Sequence, residues 1–513
     1  MRVCRTVAER EIASELDRER RELLSSYLAA LPGARTAVLA RLWRGLVHEP
    51  LPWVATRTAG PAGVTLRLAD GRRLHGPPSD PWATGTSVPS LELDGVRYEH
   101  PARLMAALAV PGAERFAAEL DGSTASLALS RTAPRPTEPP ARPWEWEQRS
   151  PDGHPYHPGC RSRPGFSAAE QLAYAPEHRP VVGLRLAPVT GATVRGRWPS
   201  DLRDGGAVLI PAHPWQVAHV LAGRTVLPGP RAHPLLALRT LDLGGNVHVK
   251  TALSAQLTST VRDISAYSVG YALATSDIAA RVADRLGGRL HIARTLAAAG
   301  AGTADLAAVL RESPYAYAGE GEQVVPASEL PAHFARHAPQ PRLERITGFA
   351  RLALGACLDL LGLGIALEAH GQNLLAVVDA EGRARRLVYR DLADIRISPA
   401  RLVRNGFPAP PLSGRLLNDD PSALRRKVLG CLVTGVLGPL AGDAATLGAV
   451  LETATRDLAP TEDLRALRTE PLPTKALTLM RLTGGDQWAR LPNPLAHHPH
   501  QRIRGNHCGK ASG

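Results

Sequence analysis

The chain has 513 residues, too many for one ordinary hydrophobic core, so two or three domains are expected. Its formal charge is +13, yet the basic residues are spread along the chain, aromatics are scarce, and no basic run is interleaved with them. That pattern argues against nucleic-acid binding and leaves a small polyanion such as a nucleotide triphosphate, or plain bias toward Arg, as the origin of the charge. The five cysteines (Cys4, Cys160, Cys357, Cys431 and Cys508) contain no CxxC pair, which argues against a disulfide framework, a zinc ribbon or an iron–sulfur site.

The opening stretch MRVCRTVAEREIASELDRERRELL is a charged helical pattern without the apolar centre of a signal peptide, so a cytoplasmic location is expected. Helical spacing covers 8–45 and 101–120, with strand-like GVTLRLADGRRLHG and SLELDGVRYEH between. The proline-rich RTAPRPTEPPARPWEW (131–146) reads as a joint between domains. Strands and loops then run to about 275, helical pattern covers 276–312, and 313–332 is a loop-rich transition. From 340 onward apolar helices flank a hairpin. The most apolar stretches, 349–370 and 432–451, are interrupted by Arg351 and Asp359, or by Pro439 and Asp443, and read as buried helices rather than membrane spans. The tail 497–513 reads as disordered.

Three segments concentrate polar side chains. SPDGHPYHPGCRSRPGF (150–166) is a Gly/Pro-rich loop carrying His154, His157, Arg161 and Arg163; no carboxylate or thiol pair accompanies the imidazoles, so the set suits a phosphate better than zinc. His213 and Trp215, in the IPAHPWQ turn (210–216), read as packing that shapes a wall. LRTLDLGGNVHVKTALSAQLTSTVRDIS (238–265) reads as two strands joined through Gly244-Gly245, with His248 and Lys250 on one face and Arg239, Thr258 and Arg262 forming an anion cradle that is not a Walker loop. Lysine occurs only at 250, 427, 475 and 510, so an internal lysine draws notice in a chain that otherwise writes its cations as arginine.

EAHGQNLLAVVDAEGRARRLVYRDLADIRIS (368–398) reads as a β-hairpin about Gly382. A register symmetric about Gly382 sets Asn373 opposite Asp391. Glu368, Asn373 and Asp391 would then converge at one sheet end as hard oxygen ligands of the kind Mg²⁺ prefers. A solvated hairpin with polar ends is the plain alternative.

The ordered succession G-H-P-Y-H-P-x-x-R-x-R-x-G-F, Y-x-P-E (174–177), H-P-W-Q, L-R-T, K-T-x-L-S-x-x-L-T-S-x-x-R, E-A-H-G-Q-N and R-D resembles the NRPS-independent siderophore synthetases of the aerobactin-synthetase (IucA/IucC) type, from about residue 95 to 496. The resemblance implies an α+β, cupped-hand architecture: a thumb (1–142), β-rich fingers (143–330) and a largely helical palm (331–496). It implies adenylation of a carboxylate of citrate or a related acid by ATP, then displacement of AMP by an amine, hydroxylamine or hydroxyl group. It also implies a homodimer acting on small molecules, with no nucleic-acid or membrane partner.

Carried over residue by residue, the resemblance implies that His154, His157, Arg161, Arg163, Arg239, Lys250, Thr258 and Arg262 bind ATP. Thr258, Arg262, His370 and Gln372 would hold the carboxylate substrate, Glu368, Asn373 and Asp391 would hold Mg²⁺, and Arg262, His370 and Lys250 would be catalytic. Two positions depart from the family pattern: Arg161 replaces a lysine, and Ala237 replaces a serine. Two rival readings stand beside this one. A small-molecule phosphotransferase would need an Asp close to the His of H-G-x-N, where Gly371 and Gln372 intervene. A siderophore-binding relative would show no nucleotide dependence.

Overall fold

The computed structural model describes residues 3–134, 136–258, 260–336 and 341–496; the tail expected at 497–513 lies outside them. The chain folds as an α+β protein around three large cores. Helices Val7–Glu19, Arg21–His48, Pro101–Leu108 and Ala113–Ser130 pack with a five-stranded meander whose strands follow in chain order from Val54–Gly60 to Val96–Tyr98. Leu39, Trp43 and Phe116 fill this first core. The far end of the chain returns to it: Ala476, Leu479, Leu482 and Ala489 join the same core. The Glu49 carboxylate accepts the backbone N–H groups of Thr478 and Leu479, so part of the segment expected in the palm packs against the N-terminal helices.

The second core lies on a nine-stranded sheet that is antiparallel throughout, and its middle strands Ala307–Glu312, Val247–Thr251 and Thr240–Asp242 are neighbours. The turn between the last two needs positive φ at Gly244 (74°) and Gly245 (57°), which glycine accepts without steric cost. Thr240 lies opposite Lys250 and Asp242 opposite His248, so the face read from the alternation is the one that forms. Residues 290–312 differ from the helical expectation: they form the strands Leu290–Ile292, Thr295–Gly300 and Ala307–Glu312. Ala297, Ala298 and Ala299 are fully buried, and Ala298 and Ala307 pack with Val269 of the helix Ala266–Ala283. Small side chains let that helix lie close on the sheet, and this packing overrides alanine's helical propensity.

The third core holds a four-stranded sheet, order Leu290–Ile292, Ala384–Tyr389, Leu374–Val378, Gln323–Pro326. Helices Arg342–Leu363, Pro421–Leu432 and Ala444–Thr455 contribute to it. Capping side chains start several elements: Ser265 accepts from Ser268 N–H, and Asp420 from Ser422 and Ala423 N–H, satisfying donors that a helix leaves open. Helices Arg21–His48 and Arg342–Leu363 are long and apolar enough to cross a membrane by length and composition. Both are built into cores, with Leu31 and Leu42 of the first and Phe349 and Leu354 of the second fully buried.

The hairpin forms, in a register one residue away from the symmetric one. Leu374 pairs with Tyr389, and Arg390 N–H donates to the Asn373 carbonyl at 3.0 Å, so Asn373 faces Arg390 rather than Asp391. The turn centres on Glu381, where Asp379 N–H donates to the Arg383 carbonyl, and an irregularity between Val377 and Val378 brings the register one residue back toward the symmetric one. A one-residue slip exchanges the faces of a strand, and here the exchange separates two roles. Arg390 is buried in a two-point ion pair with Glu147 at 2.7 and 2.5 Å, tying the hairpin to the Pro143–Gln148 turn. Asp391 leaves the strand with φ of 70°, a region uncommon for residues other than glycine.

Candidate active site

Where the nine-stranded sheet, the 150–161 loop and the hairpin end meet, a cavity of about 840 Å³ opens, within the size range of small-molecule sites. The sheet face that carries Lys250 and Arg311, the third core and the Gly/Pro-rich loop all contribute walls. Eight lysines and arginines line it against five aspartates and glutamates, so the pocket favours anions.

Lys250 projects from the strand Val247–Thr251 and donates to both oxygens of Asp391 at 2.6 Å. Burial, assisted by Arg239 and Arg311, lowers the Lys250 ammonium to about 8, while Asp391 pulls the other way. Burial opposes ionisation of Asp391, but Lys250, Arg311 and Arg239 outweigh it and hold the carboxyl well below the usual range. Burial lowers Arg239 to about 10, still cationic near neutral pH. One of its terminal N–H groups bonds the Arg262 carbonyl, which anchors the short hairpin Leu253–Leu257/Thr260–Arg262 beside the strand. At that hairpin's turn Thr258 has φ of 62°, an outlier conformation for a β-branched residue, and its N–H is fixed by the Ser162 carbonyl at 3.0 Å. Arg262 itself donates to the Leu257 carbonyl at 3.0 Å.

On the opposite wall, Glu368 Oε1 accepts from Lys475 at 3.1 Å and Lys427 at 3.4 Å, and Lys427 also reaches Asp394 at 3.1 Å. The three lysines noted at 250, 427 and 475 therefore all converge on the hairpin's carboxylates. The histidines share one motif. His154, His157 and His370 accept, at Nδ1, the backbone N–H two residues on, at 3.2, 2.8 and 3.3 Å. That leaves each ring's proton on Nε2. Burial lowers all three, His154 to about 3, so they are neutral rings offering an N–H rather than cations beside a phosphate.

Of the residues expected at the site, Arg239, Lys250, Thr258 and Arg262 line one cavity together with His370, Gln372 and the carboxylates Glu368 and Asp391. Asn373, His154, His157 and Arg161 line it as well. Arg163 is not among the lining residues. It is buried in a fork against Glu177, at 2.8 and 3.1 Å, with Ser130 donating to the same carboxylate at 2.6 Å. Arg161 spends two of its donors on the Pro151 and Ser150 carbonyls of its own loop. His213 caps the short helix Pro214–His219, and Trp215 stacks on Phe166 at 4.9 Å, in keeping with packing roles. Sequence reasoning passed over Arg311, which lines the cavity from the strand Ala307–Glu312; the flanking alanines hid it inside a helical reading.

Glu368, Asn373 and Asp391 all line this cavity and are hard oxygen ligands of the type magnesium takes, with Asp391 held here by Lys250 and Glu368 by Lys475 and Lys427. Among the described residues no cluster of three or more His, Cys, Asp or Glu could hold a metal by itself. Three cations on the sheet side (Arg239, Lys250, Arg262) face the same cavity.

An α+β chain with a basic cavity between a curled sheet and a helical unit has the fold of the siderophore synthetases. Petrobactin biosynthesis protein AsbB of Bacillus anthracis superposes with a TM-score of 0.77 at 20% identity, covering 96% of this chain and 98% of that one. ATP-bound aerobactin synthetase IucA of Klebsiella pneumoniae superposes with a TM-score of 0.65 at 18% identity, covering 90% and 99%. Residues 143–332 match the IucA / IucC family, and residues 347–487 match the ferric iron reductase FhuF-like transporter family. The IucA / IucC match spans the residues that build the nine-stranded sheet. A citryl-spermidine/3,4-dihydroxybenzoyl-citryl-spermidine:spermidine ligase of Bacillus anthracis is 26% identical over 309 residues, a match spanning 48% of this chain and about half the length of that protein.

Proposed function

We propose that the protein is an ATP-dependent siderophore-type synthetase that adenylates a carboxylate of citrate or a related polycarboxylic acid. An amine, hydroxylamine or hydroxyl group then takes the acyl group, releasing AMP. The observation that carries this reading is the meeting, in one cavity, of Arg239, Lys250, Thr258 and Arg262 with His370 and the carboxylates Glu368 and Asp391. The ATP-bound state of the K. pneumoniae neighbour and the ligase activity named for the B. anthracis relative support it.

The chemistry sets the requirements. A carboxylate attacking an α-phosphate brings two anions together, so the barrier is largely electrostatic, and fixed cations lower it by neutralising charge and holding the oxygens in line. No base is needed for that step, because a carboxylate is already ionised near neutral pH. Arg239, Lys250 and Arg262 hold the phosphates, and the Thr258 hydroxyl, fixed by its tight turn, adds a neutral donor. His370, neutral and with its proton on Nε2, donates to the carboxyl oxygen on which charge develops when the nucleophile attacks. Glu368, Asn373 and Asp391 would hold a magnesium ion, which when bound supplies charge neutralisation at the phosphates. Lys250, which donates to Asp391 in this structure, would be free to donate to phosphate if that carboxylate held the ion.

The test is product analysis with a panel of polycarboxylates and of polyamines and hydroxylamines. Turnover that yields AMP and pyrophosphate supports the reading; ADP and phosphate point to the phosphotransferase; no nucleotide dependence points to a binding relative.

A further inference from the structure

The cavity contains a second group of donors that none of these roles uses. Arg311 is 5% exposed and its Nε has no hydrogen-bond partner among the described residues. Its one hydrogen bond among the described residues is a long 3.5 Å approach of a terminal nitrogen to Thr240 Oγ1, and Asp391 and Glu147 lie near enough to act on its charge. Thr275, on the helix Ala266–Ala283, is 3% exposed and its hydroxyl also has no hydrogen-bond partner among the described residues. Both residues line the cavity, as does Thr295.

The backbone brings the three together. Thr295 lies directly opposite Arg311 in the sheet, and its N–H is held by Ser276 Oγ at 2.8 Å, which fixes the helix carrying Thr275 against the same strand. Arg311 shares its face with Lys250, since Val309, two residues away, is the partner of Lys250. Buried polar groups are nearly always hydrogen-bonded, and two unsatisfied ones on one cavity wall call for an external acceptor. A guanidinium repels cations, and a guanidinium with hydroxyls is the donor set of an oxyanion site.

We propose that Arg311, Thr275 and Thr295 form an oxyanion subsite on the sheet side of the cavity, taking a phosphate oxygen of the nucleotide or a carboxylate arm of the organic acid. This deepens the adenylation reading and rests on it. Thr275→Val is the sharper probe: the hydroxyl has no hydrogen-bond partner among the described residues to lose, so a purely structural residue would leave both folding and binding unchanged. Arg311→Lys keeps the charge and removes the fork. Calorimetric titrations of the full chain with ATP–Mg²⁺, citrate and pyrophosphate, each alone, separate the sources.

The expected result is a thermal midpoint for Thr275→Val no lower than wild type, with affinity for one ligand class reduced several-fold. For Arg311→Lys the same class weakens by roughly 10- to 100-fold. Loss for ATP and pyrophosphate assigns the subsite to phosphate; loss for citrate alone assigns it to the acid. Wild-type affinity of both variants for all three ligands overturns the subsite while leaving adenylation to its own product assay. Failure of the wild type to bind any of the three overturns both.

Discussion

Replacing Asp391 by Asn removes the only negative partner that Lys250 has among the described residues, in a neighbourhood that also contains Arg239 and Arg311. The side chains of the pair are 10% and 25% exposed, so screening by water is weak, and breaking such a pair from one side costs about 3–5 kcal/mol. The two sides are not equivalent. Without Asp391, Lys250 faces two buried guanidinium groups with Asp263 and Glu147 left to act on them. Without Lys250, Asp391 still has Arg311 and Arg239 as counter-charges. Asp391→Asn is therefore expected to destabilise by about 3–5 kcal/mol and Lys250→Met by less, about 1–2 kcal/mol. The double variant should be less unstable than the sum by more than 1 kcal/mol, beyond ordinary additivity error. Chemical denaturation midpoints for the four proteins measure all three quantities. Equal costs for the single variants, or costs that simply add, would refute the electrostatic account of this corner of the site.

Arg262→Ala should fold normally and lose pyrophosphate release by about 10²–10³, the scale of deleting one preorganised charge-stabilising contact; near wild-type turnover would remove Arg262 from the reaction. Arg390→Met leaves Glu147 buried with, among the described residues, only the Tyr315 hydroxyl, at 2.7 Å, and a backbone N–H as hydrogen-bond donors, and should cost about 3–5 kcal/mol in a denaturation series. Burial pushes Glu329 up to about 7, against hydrogen bonds from Ser328 and Ser150. The folded state thus holds this proton more tightly than the unfolded chain, and stability falls as pH rises from about 4.5 to about 7. Relative to Glu329→Gln, the wild type should be equally stable near pH 4 and less stable by roughly 3 kcal/mol at pH 8. A difference that stays constant with pH would contradict this.

Much of the site was legible because its chemistry is written in short, ordered segments. The face shared by His248 and Lys250 follows from strand alternation and formed as read. Lysine scarcity was a sharper signal than any motif, since Lys250, Lys427 and Lys475 all reach the hairpin carboxylates. Three features escaped for physical reasons. The hairpin register turns on an irregularity at Val377 and Val378, which composition does not mark. Arg311 sat in an alanine-rich stretch whose strand conformation is imposed by a helix packed on it. Arg163 shares its loop with cavity residues, yet it is taken by Glu177, and nothing local distinguishes a ligand-facing arginine from one clamped by a distant carboxylate. The return of Ala476–Ala489 to the first core is likewise a long-range contact without periodic signature.

The central claim is that this cavity joins an organic carboxylate to the α-phosphate of ATP, and isotope transfer tests it most directly. With an acid labelled by ¹⁸O in its carboxylates, chosen as one that supports turnover with an amine, adenylation predicts one ¹⁸O delivered to AMP per amide or ester formed. Label appearing in inorganic phosphate, with ADP as the partner product, would contradict it.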